Sequence, residues 1–346
     1  MLTGLTHARL ETILKQIHHL RVGVCGDFVL DGYWYADMTR AQLSRETPLY
    51  NRPVVAETYS PGGAANVAWN LADLGVGEVH AISILGKDWR GSLLREIFQG
   101  LGIRSDYLLE SPVWKTPFYG KVVLTGWDTR QEDARLDMIN PHPPEAGDED
   151  LLTDHLCQIV PHLDALIIAD YIPGGIVSPR VREVLLELAE RNPQVIFLAD
   201  SRERIAHFQS LVIKPNEVEA RQLFFPGQAP ASITLEALEK AALELNARTQ
   251  KPVYITLGEN GCLVCEMPGA VRLPAVHVPP PLDPVGAGDT FLASLGAGLA
   301  AGATSQEAGC LANLSAAITI QKNGMTGTAS PKEVIDLFEK QYDRSA

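Results

Sequence analysis

The chain has 346 residues, room for one large domain with an accessory piece or for two domains. With 46% hydrophobic and 21% charged residues and a mean hydropathy of +0.01, it has the composition of a folded globular protein and not of a disordered one. Its 42 acidic against 29 basic residues give a net charge of −13, which opposes general binding to nucleic acid or anionic membrane but leaves room for a local basic pocket.

The opening residues through Leu20 mix charge and histidine without an apolar signal core. They predict a first helix closed by His18 and His19, whose imidazoles suit the C-terminal end of a helix dipole. Apolar strand-like runs then alternate with helical periods. Strands are expected at 21–25, 79–85, 165–169, 195–199, 211–213, 253–257 and 261–266. Helices are expected at 63–74, 90–101, 149–160, 179–191, 217–223, 235–248, 289–301 and 305–321. Continuous apolar runs such as Ala165 to Ala169 suit strands covered on both faces, so the fold class is α/β, a central mostly parallel sheet with helices on both faces.

Two stretches break the alternation. Residues 32–58 are rich in Tyr, Thr, Arg and Val without a helical period, and 114–138 read as β segments around a polar turn. Structureless loops of that length are uncommon in compact domains, so both are read as strands of a small β lid inserted in a single domain spanning 1–346. The longest apolar helical run, 291–303, falls short of the roughly 20 residues a membrane span needs. Five scattered cysteines point to a reducing compartment, the cytoplasm, and not to a disulfide framework. Cys262 and Cys265 lie three apart in an extended stretch, hence on opposite faces, and are read as buried thiols.

Two glycine-rich segments carry chemistry. In the first, Gly62 and Gly63 allow close backbone approach at a helix start, and Asn66 falls in the first turn where its amide can face the same point. A plain loop-to-helix junction is the competing reading. In the second, Gly286, Ala287 and Gly288 can turn successive N–H groups toward one anion, reinforced by the following helix dipole. Asp289 directly afterwards would repel a phosphate that is merely held. It makes sense if it takes the proton from a hydroxyl attacking that phosphate; otherwise it is a helix N-cap.

Together these segments resemble the two signatures of the ribokinase/PfkB carbohydrate kinases, over about residues 21–335. Gly86 to Gly91 looks like the family's GxDxxG, Asn216 to Glu219 its NxxE, and Thr256 to Gly261 its TxGxxG. A narrower resemblance, to the heptose 7-phosphate kinase domain of bifunctional ADP-heptose synthesis proteins, rests on Gly26 to Tyr35, Thr39-Arg40, Glu46 to Pro48, Arg135 to Asp137 and Ile168 to Tyr171. The nucleotidyltransferase half of those proteins is absent, which implies a stand-alone kinase. That branch carries an Arg where Gly32 stands, a guanidinium suited to a sugar phosphate. Pro284 removes one backbone donor before the glycines, and Asp200-Ser-Arg202 keeps a cation where the branch has Asp-Pro-Lys.

The resemblance implies transfer of the γ-phosphoryl group of ATP to a sugar hydroxyl, O1 of a heptose 7-phosphate in the narrower branch. Asp289 would be the general base and Gly286, Ala287 and Gly288 the anion hole. Asp31, Gly62, Gly63 and Asn66 would bind the sugar, with Lys121 and Arg135 reaching from the lid and Asp170 lining the cleft. Thr256, Gly258, Gly261 and Asn313 would line the nucleotide. Asn216 and Glu219 would act on hydrated Mg2+ and the phosphates, and Asp283 would sit near a K+ site. A kinase for another sugar, sugar phosphate or nucleoside is the alternative within the enzyme class. An idle regulator binding sugar or nucleotide is the alternative outside it. An apolar outer face on the lid would need cover, which implies a homodimer through the lid.

Overall fold

The computed structural model describes residues 5–229, 232–322 and 326–343. In chain order its strands are β1 (Arg21–Gly26), β2 (Phe28–Asp37), β3 (Val54–Gly63), β4 (Glu78–Gly86), β5 (Arg104–Ser111), β6 (Phe118–Thr125), β7 (Arg130–Met138), β8 (Ala165–Asp170), β9 (Ile196–Ser201), β10 (Val212–Ile213), β11 (Val253–Thr256), β12 (Cys262–Glu266) and β13 (Gly269–Leu273). The helices are α1 (His7–Ile17), α2 (Ala64–Asp73), α3 (Trp89–Gly100), α4 (Ala146–Ile159), α5 (Pro179–Arg191), α6 (Glu217–Phe224), α7 (Leu235–Thr249), α8 (Ala287–Ala300), α9 (Ser305–Thr319) and α10 (Pro331–Asp343).

Among the described residues, nine strands form one sheet in the order β13-β12-β11-β10-β9-β8-β1-β4-β5, parallel except for the β11-β12-β13 end. Every residue of β8 is buried, as a strand with helices on both faces requires. One face packs against α1, α2, α3, α8, α9 and α10 and the other against α4, α5, α6 and α7. Cys262 belongs to the first core and Cys265 to the second, so the pair straddles the sheet as two buried free thiols. The Ala/Gly-rich α8 lies close on β8: a Cβ at Gly296 would sit 2.7 Å from Ile167 Cδ1. No described helix is long and apolar enough to cross a membrane.

The second sheet has the order β3-β2-β6-β7. It starts earlier than the sequence pattern implies, because β2 leaves β1 after a single residue, Asp27, and the 38–53 segment stays outside it. Cross-strand register sorts its faces. Asp31 and Tyr33 pair with Tyr119 and Lys121, which pair with Asp137 and Arg135, so these six side chains share one face. Gly32 and Gly120 pair on the opposite face, where Trp34 packs on Phe118, and Phe118 and Tyr59 meet Trp89 of α3.

Candidate active site

The carboxyl ends of β1 and β8 are neighbours, and the chain leaves β1 toward β4 on one side and builds β8, β9 and β10 on the other. Open α/β sheets place ligand clefts at such a switch point. Asp27 fixes the junction: its buried carboxylate accepts the N–H groups of Tyr171 (2.9 Å), Ile172 (2.8 Å) and Ile176 (2.9 Å). That clamp sets the loop after β8 and aims Tyr171 across the cleft floor.

Asp289 stands on the first turn of α8, whose N-cap is Gly286 at φ +80°. Its side chain does not cap the helix. Oδ2 accepts from Asn66 Nδ2 at 2.8 Å, and Oδ1 lies 3.1 Å from the Tyr171 hydroxyl. Asn66 is oriented in turn by Asn70, whose Nδ2 donates to its Oδ1 (3.1 Å) and whose Oδ1 accepts from Thr290 Oγ1 (2.7 Å). Burial, and then the charge of Asp200, push the Asp289 carboxyl up to about 6 against those two hydrogen bonds. A carboxylate poised near neutrality beside a helix N-terminus is suited to accept a proton.

Asp31 faces it from β2. Gly62 makes room for the Asp31 carboxylate, since a Cβ there would sit 2.3 Å from Oδ1. That Oδ1 is buried without a hydrogen-bond partner among the described residues. Burial and then the Asp289 charge push Asp31 up to about 7, opposed by Lys121 and Arg135. An orphaned acceptor beside a second carboxylate is a place for hydroxyl donors. Folded Asp31 therefore binds its proton more tightly than unfolded Asp31, so it costs stability at pH values above about 7, and the cost disappears below about 4. Asp31→Asn is expected to raise Tm at pH 8 and to leave it unchanged near pH 3.5. Equal Tm values at pH 8, read by calorimetry, would contradict this account of the pocket.

Two lid cations face Asp31. Lys121 Nζ lies 5.3 Å from the Tyr33 ring centre and 3.7 Å from Glu132, and the Arg135 guanidinium lies 4.1 Å from the Tyr119 ring centre with Nε donating to Asp137 at 2.6 Å. Below the lid, buried Lys214 places Nζ 3.0 Å from Asp200 Oδ2, and that oxygen is 3.1 Å from the Tyr171 hydroxyl.

A model of the pfkB family of carbohydrate kinases matches residues 37–333. The chain belongs to that family. Its relatives include the bifunctional protein HldE of Geobacter metallireducens, 30% identical over 97% of this chain, and that of Magnetococcus marinus, 33% identical over 95%. The chain spans 66% and 64% of those proteins, just under two thirds of their length. Among solved structures, Arabidopsis thaliana ribokinase complexed with ribose and ATP superposes with a TM-score of 0.69 at 19% identity, covering 93% of this chain and 99% of that one. Escherichia coli phosphofructokinase-2 in complex with potassium gives 0.71 at 19% identity, with the same coverage. These neighbours share the α/β fold.

Against the pfkB signatures, Asp289, Asn66, Asp31, Gly62 and Gly63 converge on one cleft, with Gly63 as the N-cap of α2 at φ +54°. The anion hole is narrower than the sequence implies. The Ala287 N–H turns back to the Pro284 carbonyl (3.2 Å), leaving the Gly286 and Gly288 amides open among the described residues. Asp170 is not cleft-lining: its fully buried carboxylate is held by Arg204 Nε (2.9 Å), by Arg204 Nη2 and by Ser201 Oγ (2.7 Å). The position of Gly32 also needs a different account. A Cβ there would sit 2.5 Å from the Phe118 ring, on the face away from Asp31, so an arginine would enter that aromatic cluster and not the cleft.

Among the residues expected to line the nucleotide, Asn216 and Thr256 form a parallel bridge that brings NxxE beside TxGxxG. Asn216 caps α6 through the N–H groups of Val218 and Glu219 (both 2.9 Å), and Glu219 Oε2 accepts the Asn216 N–H (2.7 Å). Burial and then Asp200 push Glu219 up to about 7. Gly261 turns the chain between β11 and β12 at φ +86°, while Gly258 faces open space. Asn313 does not reach into this space. It is buried, and its Nδ2 holds the carbonyls of Pro274 (3.2 Å) and Leu273 (3.4 Å). Asp283 accepts the Val285 N–H (3.1 Å) and donates its own N–H to Ile320 (2.8 Å), pinning the glycine loop to the end of α9. In GxDxxG, Asp88 caps α3 and accepts the Thr116 N–H (3.0 Å), which makes that motif a brace for the lid.

Tyr171 and Lys214 are the site residues the sequence reading passed over as functional groups. Each directly follows an apolar strand, β8 or β10, and polar residues at the carboxyl ends of parallel strands are the signal that could have found them.

Proposed function

We propose that the chain transfers the γ-phosphoryl group of ATP to a hydroxyl of a sugar phosphate, O1 of a heptose 7-phosphate-like substrate, with Asp289 as general base. The observation that carries this reading is the juxtaposition of Asp289, at the open amides of a helix N-terminus, with the orphaned carboxylate oxygen of Asp31. Asp31 accepts hydroxyls that fix the sugar, and Asp289 removes the proton of the attacking one. The Gly286 and Gly288 amides stabilise the charge on the moving phosphoryl group. The adenine side is bounded by the Thr256–Gly261 turn.

Magnesium suits Glu219. Mg2+ keeps most of its waters and takes only one or two carboxylates, and a nearby cation relieves the repulsion between Glu219 and Asp200. When bound, it supplies neutralising charge on the phosphates. K+ near Asp283 would stiffen the glycine loop from outside the cleft, and activity should rise on replacing a sodium buffer by a potassium one. A coupled ADP-release assay across matched sugars, sugar phosphates and nucleosides tests the reading. Turnover with none of them would favour an idle binding role.

The lid also supports a homodimer. Leu136 and Met138 are 48% and 46% exposed on the face away from Asp31, next to Trp34 and Phe118. A second copy covering that face would bury them. Leu136→Glu is expected to convert a dimer into a monomer in sedimentation at micromolar concentration, and a monomeric parent protein would end the proposal. Five free cysteines support a reducing compartment, the cytoplasm, as the protein's location.

A further inference from the structure

The Tyr171 hydroxyl lies 3.1 Å from Asp289 Oδ1 and 3.1 Å from Asp200 Oδ2. A phenol carries one proton, so it can donate to only one of two ionised carboxylates at a time. Asp200 is ion-paired with the buried Lys214 ammonium, 3.0 Å away. Among the described residues, Asp289 has no such cation in hydrogen-bond contact, and its partners are Asn66 and Tyr171. The hydroxyl is therefore a rotor between a fixed carboxylate and a titrating one.

We propose that Tyr171 is a positioning residue that donates to Asp289 while Asp289 is ionised and turns its proton to Asp200 when Asp289 becomes protonated. This rests on Asp289 being the base. In the transfer step the sugar O–H bond breaks and its proton goes to Asp289 Oδ1. The oxygen electron pair forms the new P–O bond, and the P–O bond to ADP breaks with its electrons leaving on ADP. Protonated Oδ1 then donates to the Tyr171 oxygen, and Tyr171 donates to Asp200, whose charge Lys214 continues to hold. One rotation thus offers Asp289 a hydrogen-bond partner in both of its protonation states.

Among the described residues, the charged and titratable groups facing Asp289 are Asp31 from β2, Tyr171 after β8, Asp200 from β9 and Lys214 after β10, and from α2 it meets the neutral Asn66; Arg202 after β9 lies over the Tyr171 ring, 5.2 Å from its centre. Their signs predict opposite responses. Tyr171→Phe keeps the ring but removes a donor to the ionised form, so the Asp289 pKa should rise by about one unit. Asp200→Asn removes a neighbouring negative charge and lets Lys214 act alone, so it should fall by about one unit.

The measurement is a 13C carboxyl titration of the full chain labelled at aspartate, with the Asp289 resonance assigned by its loss in Asp289→Asn. A rise in Tyr171→Phe together with a fall in Asp200→Asn supports the proposal. No change in Tyr171→Phe, or shifts of both variants in the same direction, overturns it. If Tyr171→Phe fails to fold, the Tyr171 13Cζ resonance of the tyrosine-labelled parent protein decides: a shift that follows the Asp289 titration and is lost in Asp200→Asn supports the shared proton, and no shift rejects it. With heptose 7-phosphate and ATP, the acid limb of kcat/KM should move with each titration while KM for ATP stays unchanged. Full turnover in Asp289→Asn would reject Asp289 as base and leave the titration result standing separately.

Discussion

Asp289→Asn is expected to lower kcat by about 10²–10⁴, the contribution of a positioned general base, while ATP affinity stays near that of the parent protein. The substitution is close to isosteric, so the Asn66 and Tyr171 contacts keep their shape, and the Gly286 and Gly288 amides that would meet the phosphates are untouched. The pH dependence has a definite sign. The base must be ionised, and burial raises its pKa to about 6, so kcat/KM in the parent protein should fall as pH drops through about 6. The loss would therefore appear well above the 3.8 of an ordinary aspartate. Asp289→Asn should abolish that limb along with the rate. Retention of more than about a tenth of the parent kcat, measured by ADP release, would take Asp289 out of the base role.

The parallel sheet was legible because its strands are buried on both faces and read as unbroken apolar runs, β8 above all. The elements that were missed have weaker patterns. β5 is an edge strand made mostly of exposed and half-buried positions, and β13 is a five-residue edge strand. α10 did carry a signal: Ser330 and Glu333 form a reciprocal cap, with Ser330 N–H donating to Glu333 at 2.9 Å and Glu333 N–H to Ser330 Oγ at 3.4 Å, the S-x-x-E pattern of a helix start. The two glycine segments pointed to Asn66 as a sugar-binding residue and to Asp289 as a base, and their direct contact at 2.8 Å became visible only in the structure. Sequence could not say which polar residues at strand ends face the cleft and which are buried in ion pairs. Asp170 and Asp200 both end apolar strands, yet Asp170 is closed off by Arg204 while Asp200 reaches the cleft floor through Tyr171. Face assignment in the lid likewise depends on register, and a one-residue difference separates Asp31 from Gly32.

That register bears directly on the substrate. With position 32 on the far face, the missing arginine removes no charge from the cleft, and Lys121 and Arg135 are the lid cations opposite Asp31. Both are held on aromatic rings and neutralised by lid carboxylates, Glu132 and Asp137, an arrangement that an incoming phosphate dianion can displace. Burying such a dianion without a cation is prohibitive, so a sugar-phosphate substrate calls on these lid cations, with Arg202, 5.2 Å from the Tyr171 ring centre, as a further cation nearby. Arg135→Ala is expected to raise KM for heptose 7-phosphate about tenfold to a hundredfold, the worth of a charge-assisted contact of roughly 1.5–3 kcal/mol. KM for ATP should not change. Arg135→Lys should recover only part of the loss, because an ammonium keeps the charge but neither the bidentate fork nor the stacking on Tyr119. For a neutral sugar the same alanine variant should act weakly. The comparison is kcat/KM for heptose 7-phosphate against unphosphorylated heptose in the parent protein and in Arg135→Ala. A preference for the phosphate that collapses in the variant assigns the cation to the phosphate. A preference for the neutral sugar in the parent protein removes the heptose 7-phosphate assignment and leaves Asp289 and Asp31 serving a different sugar.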